Sequence, residues 1–183
     1  MTNNDIKKLT ELVLFILDKT GGVDFYHAFK ILYFAEMKHL AKWGSRIVPD
    51  EFCALKYGPV PSLLYGAVKE LNRPRMLLAK ELSEVIRFAG EDAPNVLLAN
   101  REANMKYLSK SEIEALEQSI EENESLTFGQ LIRKSHDAAW EEAHRRANGS
   151  NVISPVSMAR VLDADDAMLE YIEEQMQIES ALQ

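Results

Sequence analysis

The chain of 183 residues has one cysteine, Cys53. An internal disulfide needs two cysteines and a Cys-based zinc cluster needs several, so neither is available. A reducing cytoplasm is the simplest compartment for such a protein. Long apolar runs are also missing. Leu12–Leu17 is six residues long, whereas a membrane span needs about 20. Thr10 and Glu11 interrupt the apolar residues after Lys7 and Lys8, so the N-terminus does not read as a secretory signal. The expectation is a soluble, cytoplasmic protein without a membrane partner. Six prolines and eight glycines are too few for a low-complexity linker. No internal repeat divides the chain, and residues 1–183 are expected to form a single domain.

Catalytic signatures are equally scarce. No Gly-rich phosphate loop, H-E-x-x-H or G-x-S-x-G occurs, and four histidines leave little choice of general base. The charge is acidic overall, at −8. It is also uneven: residues 1–80 hold twelve Lys/Arg and eight Asp/Glu, while residues 81–183 hold nine and twenty-one. From Asp163 onward there are seven acids and no base. Duplex-binding proteins carry a basic face, so direct nucleic-acid binding is not expected. An acidic surface favours a basic protein partner, although each acidic run is also compatible with a plain solvated helix face.

What is present is helical periodicity. Ile6, Leu9, Val13, Ile16 and Leu17 predict a helix over about Asp5 to Lys19, closed by Gly21-Gly22. Asp24 is a good N-cap for a second helix from Phe25 to Trp43, with Gly44 beyond it. That helix is apolar on most of its surface, which predicts a central position. Pro49, Gly58, Pro59 and Pro61 make residues 46–60 an extended connection, followed by a third helix from Ser62 to Asn72. Val85–Phe88 and Asn95–Leu98 flank a turn-rich interval and predict one short β-hairpin. Capping-box patterns open helices at Ser109–Glu112 and Thr127–Gln130. The latter segment runs to His136, where Asp137 can cap the next turn. A helix through Trp140 is expected to end near Asn148-Gly149. Ser154-Pro155 starts another, and Asp163, Asp165 or Asp166 caps an acidic C-terminal helix over about 163–180. The fold class is mainly α (α+β), a compact helical domain with one small β-hairpin.

Three features bear on function. Glu36 falls within the apolar stripe of the second helix, where an unpartnered carboxylate is costly. It begins Glu36-x-x-His39, and Glu141-x-x-His144 repeats the spacing. Two such pairs with two further glutamates form the ligand set of di-iron bundles. No third and fourth ligands stand out, so no metal and no cofactor are expected. The plainer reading is a buried Glu36 bonded to a Tyr, a His or a loop amide. His136 and Trp140 lie at i, i+4 and can touch. They can pack together, line a partner surface where Trp is favoured, or support catalysis, for which no adjacent nucleophile is visible. Tyr57-Gly58-Pro59-Val60-Pro61 is a rigid corner that reverses the chain or serves as a docking edge.

Lys30-Ile-Leu-Tyr-Phe-Ala35, the Tyr57-Gly-Pro-Val60 corner and Ser135-His-Asp-Ala-Ala-Trp140 together resemble the signature of the Panacea domain, the SocA-like antitoxin family, over about Leu12 to Val161. The family also resembles proteins labelled phage-associated. Ile31 replaces the usual Leu, and the acidic segment after Asp163 is outside the signature. The resemblance implies a mainly helical antitoxin without catalytic activity. Such a protein would neutralise a cognate toxin, here a basic one, by direct binding. In the SocA branch it would also deliver the toxin to a cytoplasmic protease. Tyr57, Gly58, Pro59, Val60, His136 and Trp140 are the motif positions and hence the partner-binding candidates. A phage accessory role or a metal-dependent enzyme using the Glu-x-x-His pairs are the competing readings.

Overall fold

The computed structural model describes residues 1–146 and 149–181. Helix α1 (Asn3–Thr20) starts at a capping box in which Thr2 and Asp5 bond reciprocally, and it ends on left-handed Gly21. A two-residue strand β1 (Val23–Asp24) leads into α2 (Phe25–Trp43). Asp24 caps α2 through the His27 amide, and Gly44 closes it in the left-handed region. Fourteen of the nineteen residues of α2 are buried. It packs against α1 and, further along the chain, against α5 (Lys110–Asn123), α8 (Pro155–Val161) and β3 (Gly58–Pro61). The apolar circumference therefore does what a central helix must.

The expected hairpin is present as β4 (Ile86–Phe88) and β5 (Val96–Ala99), with β1 added antiparallel to β5. The segment read as an extended connection contains a second hairpin. Strand β2 (Phe52–Leu55) pairs with β3, so that Ala54 faces Pro59 and Phe52 faces Pro61. Prolines cannot donate to a ladder and are tolerated only on an edge. Strand β3 is such an edge, because the other side of β2 receives residues 151–153 through Ala54 N–H to Asn151 O and Ile153 N–H to Phe52 O.

Helix α3 (Ser62–Lys69) stops short of the expected Asn72. Residues Glu70 to Arg73 follow as tight turns, since Pro74 bars Arg73 from helical geometry. Helix α4 (Leu77–Val85) was not expected. No side chain caps it at Met76; instead the Glu70 carboxylate, six residues upstream, accepts from the Arg75 and Met76 amides.

Both capping boxes are formed, at Ser109 for α5 and at Thr127 for α6 (Phe128–Ser135). Asp137 caps α7 (Ala138–His144) through the Trp140 amide. Helix α7 closes at His144, and the expected end at Asn148 lies outside the described residues. Pro155 opens α8 at its first turn. Asp165 accepts from the Met168 amide at the start of α9 (Asp166–Ala181).

The glutamates of α5 are largely engaged within the fold. Glu112 pairs with Lys8, Glu114 with Lys42, Glu117 with Lys19 and Glu122 with Lys38. These bridges tie α5 to α1 and α2. Among the described residues, no α9 carboxylate forms a salt bridge.

Candidate protein-binding site

Three sequence segments that are far apart in the chain meet at the tip of the β2–β3 hairpin. Lys30 reaches it from α2. Its side chain is 1% exposed, and Nζ donates to the Pro59 carbonyl at 2.7 Å. Burial pushes the Lys30 ammonium down to about 7, because the charged form has lost its water. Gly58 makes this approach possible. Its φ is 94°, and a Cβ there would stand 2.6 Å from Ser135 Oγ and 2.9 Å from Lys30 Cε and Nζ. The position therefore requires glycine for both its backbone angle and its space.

The Ser135–Trp140 segment closes the tip from the other side. Trp140 Nε1 donates to the Leu55 carbonyl at 3.0 Å. His136 stacks on the indole at 3.7 Å with the rings 5° apart, and His144 stacks at 4.4 Å. His144 is four residues after Trp140 on α7, whereas His136 caps the end of α6 and reaches the indole across the α6–α7 junction. His136 Nε2 is buried without a hydrogen-bond partner among the described residues. Burial, then the charges of Lys30 and His144, push this imidazole below its ordinary value. Tyr33, two positions from Ile31 in the α2 motif, donates its hydroxyl to Asp137 at 3.1 Å and 3.2 Å. Burial pushes the Asp137 carboxyl up and the Tyr33 phenol far up. The polar groups of all three motif segments thus lock one hairpin tip against α2 and α7.

Of the six partner-binding candidates, Tyr57 faces solvent at 49% exposure. Gly58, Pro59 and Val60 are buried, and His136 and Trp140 are half-buried. Tyr57 does not stand alone. Its ring lies 6.2 Å from Phe128, which lies 5.9 Å from Tyr26, which lies 6.2 Å from Tyr65. Phe128 is 44% exposed. Neither Phe128, Tyr26 nor Tyr65 was singled out in the sequence. By spacing Phe128 shares a face with Leu131 and Ile132, at i, i+3 and i+4, so the pattern reads as core and carries no signal of its exposure. Lys56 lies over the Tyr57 ring at 5.3 Å and Lys69 over the Tyr65 ring at 4.6 Å. The result is a continuous aromatic surface to which the β2–β3 turn, α6, α2 and α3 each contribute one ring.

Glu36 lies elsewhere, on the opposite part of α2, and is fully buried. Its carboxylate accepts from the Ile47 amide at 2.7 Å, the Val48 amide at 2.9 Å and Arg46 Nε at 3.0 Å. It organises the loop after α2 and is fully engaged. His39 bonds the Ser45 carbonyl through Nδ1 and Ser111 Oγ through Nε2. Glu141 pairs with Arg145, and His144 is held on Trp140. The two Glu-x-x-His pairs are thus tied to separate structural tasks. Among the described residues, no group of three or more His, Cys, Asp or Glu is placed to hold a metal ion. Among them also, no helix is long and apolar enough to cross a membrane.

Exposed aromatics thus lie beside a hairpin tip that Lys30 and Trp140 hold through its carbonyls. Residues 29–141 match the family described as antitoxin SocA-like, Panacea domain, and the chain belongs to that family. No curated protein and no solved structure matches the chain. The match takes in α2, both hairpins and α7 up to Glu141, and leaves out α9.

Proposed function

We propose that this protein is a cytoplasmic antitoxin that neutralises a cognate toxin by binding it directly, without catalysis. The observation that carries the reading is the convergence of Lys30, Gly58, Pro59, Ser135, His136 and Trp140 on one hairpin tip, topped by exposed Tyr57 and Phe128. A surface held from beneath loses little entropy when it docks, and exposed aromatics are favoured anchors. The buried groups serve that rigidity. Lys30 and His136 are both shielded, and neither lies beside an activated nucleophile.

The acids of α9 are the natural source of steering. Glu179 acts on Arg46, but Glu170, Glu173 and Glu174 are exposed and form no salt bridge among the described residues, so their field would reach solvent and speed encounter with a basic toxin. Masking alone accounts for neutralisation. Delivery to a protease is a further step, measured separately by the toxin's half-life in cells.

Expression of the adjacent open reading frame in bacteria, with and without this protein, tests the reading. Toxicity that this chain relieves, with the two proteins co-purifying, is the expected result. A harmless neighbour that does not bind would contradict it and return the phage accessory role to the front.

A further inference from the structure

We infer that the surface formed by Tyr26, Tyr57, Tyr65 and Phe128 docks a short segment of the toxin in which an apolar side chain is flanked by carboxylates. The inference rests on the antitoxin reading and adds the chemistry of the segment that is recognised.

The four rings form a chain with centroid spacings of 5.9–6.2 Å along Tyr57, Phe128, Tyr26 and Tyr65. Phe25 and Phe29 support it from below, at 4.3 Å from Tyr26 and 6.1 Å from Tyr65 respectively. Tyr57 and Phe128 come from different elements, the β2–β3 turn and the first turn of α6, and both rings are exposed, at 49% and 44%, so together they offer an apolar surface to a docking side chain. Anchors of this kind supply most of the energy of an interface.

The polar groups on the same surface are donors. The Lys56 and Lys69 ammonium groups lie over Tyr57 and Tyr65. The Tyr26 and Tyr65 hydroxyls share a hydrogen bond, which pushes Tyr26 up to about 12 and Tyr65 down, the latter aided by Lys69. Asp24 is the acid that faces Tyr26, and it is already engaged: it caps α2 and lies 3.5 Å from His27 Nδ1. Two ammonium groups and phenolic hydroxyls around an exposed aromatic surface complement carboxylates beside an apolar residue. Aromatics with lysines also read as a platform for single-stranded RNA. That reading is disfavoured because backbone binding needs a basic track, and this chain carries −8 overall.

The test is selection of short displayed peptides on the immobilised full chain, followed by affinity measurements on the winners. Winners should carry Asp or Glu on both sides of a Leu, Met, Phe or Trp. They should lose about tenfold or more in affinity for Phe128→Ser, and again for the Lys56→Glu, Lys69→Glu pair. Thermal midpoints of both variants should match the wild type, since the substituted side chains are solvent-facing. Winners rich in Lys or Arg, winners indifferent to both variants, or no winners at all would overturn the inference. So would tight binding of a fluorescent oligo(U) probe that Phe128→Ser abolishes. None of these outcomes touches the antitoxin reading, which growth rescue by the intact chain decides.

Discussion

The hairpin tip and helix α9 are both surface features, yet they are built in opposite ways. The tip is held by buried polar contacts: Lys30 on the Pro59 carbonyl, Trp140 on the Leu55 carbonyl, and Gly58 packed against Ser135. Helix α9 is held mainly by apolar contact, beside the charge of Glu179 acting on Arg46. Ile172 is its one buried residue, and Tyr171 and Met168 rest against the bare Cα of Gly44. The tip lies inside the family match and α9 outside it. A buried polar contact fixes geometry because it fails if displaced by an ångström, whereas an apolar contact tolerates sliding. Under the proposed function the tip would serve recognition, which needs fixed geometry, and α9 long-range attraction, which does not.

The largest effect should come from a buried charge of the same design. Glu36→Ala leaves Arg46 and the Ile47 and Val48 amides without their acceptor. Breaking a buried pair by removing one partner costs about 3–5 kcal/mol, which chemical denaturation will show. Gly58→Ala should follow at about 2–3 kcal/mol, since it combines a left-handed backbone with a clash against Ser135 and Lys30. A stability within 0.5 kcal/mol of wild type would mean that the tip is not locked as described.

The pH dependence sharpens the same point. Folding holds Lys30 well below the 10.5 of a free lysine, at about 7. Between those values the unfolded chain binds more protons, so stability should rise with pH by up to about 1.4 kcal/mol per unit. Lys30→Met should flatten that rise. His27 acts in the opposite sense. Burial disfavours its charged form, but Asp24 and the Asn123 carbonyl outweigh this and raise it. Its contribution is full below about 6.5 and is lost as pH climbs through the raised value. His27→Gln should therefore remove a fall in stability just above that pH and leave the alkaline rise intact.

The smallest change in stability belongs to α9. Glu170, Glu173 and Glu174 are exposed, so changing all three to Gln should shift stability by no more than about 0.5 kcal/mol. The variant should nonetheless slow association with the adjacent gene's product, and about 0.5 M salt should slow the wild type similarly.

These contrasts follow the range over which the chain's physics acts. Helix α1 was legible from the spacing of Ile6 to Leu17, although its capping box at Thr2 was not read, and α2 and the capping boxes at Ser109 and Thr127 were legible because Asp24, Ser109 and Thr127 sit within three residues of the amides they bond. Helix α4 was not, because its amides turn to Glu70 across a turn. The β2–β3 hairpin was hidden by Pro59 and Pro61, which forbid a central strand but fit an edge. At the site, the stacking of His136 on Trp140 was legible at i, i+4. The convergence of Lys30 and Trp140 on the hairpin was not, since Lys30 reaches the Pro59 carbonyl and Trp140 the Leu55 carbonyl across 29 and 85 residues of sequence. Nor was the engagement of the α5 glutamates, which moves the free acidic charge of the C-terminal half to α9.

The central claim is that the aromatic tip recognises the toxin and α9 only attracts it. The direct test is the association and dissociation rates of the adjacent gene's product with three proteins: wild type, the Tyr57→Ser, Phe128→Ser variant, and the α9 glutamine variant. The account predicts dissociation faster by about tenfold or more with near-normal association for the aromatic variant, and slower association with near-normal dissociation for the α9 variant. An aromatic variant that dissociates as slowly as wild type would contradict it.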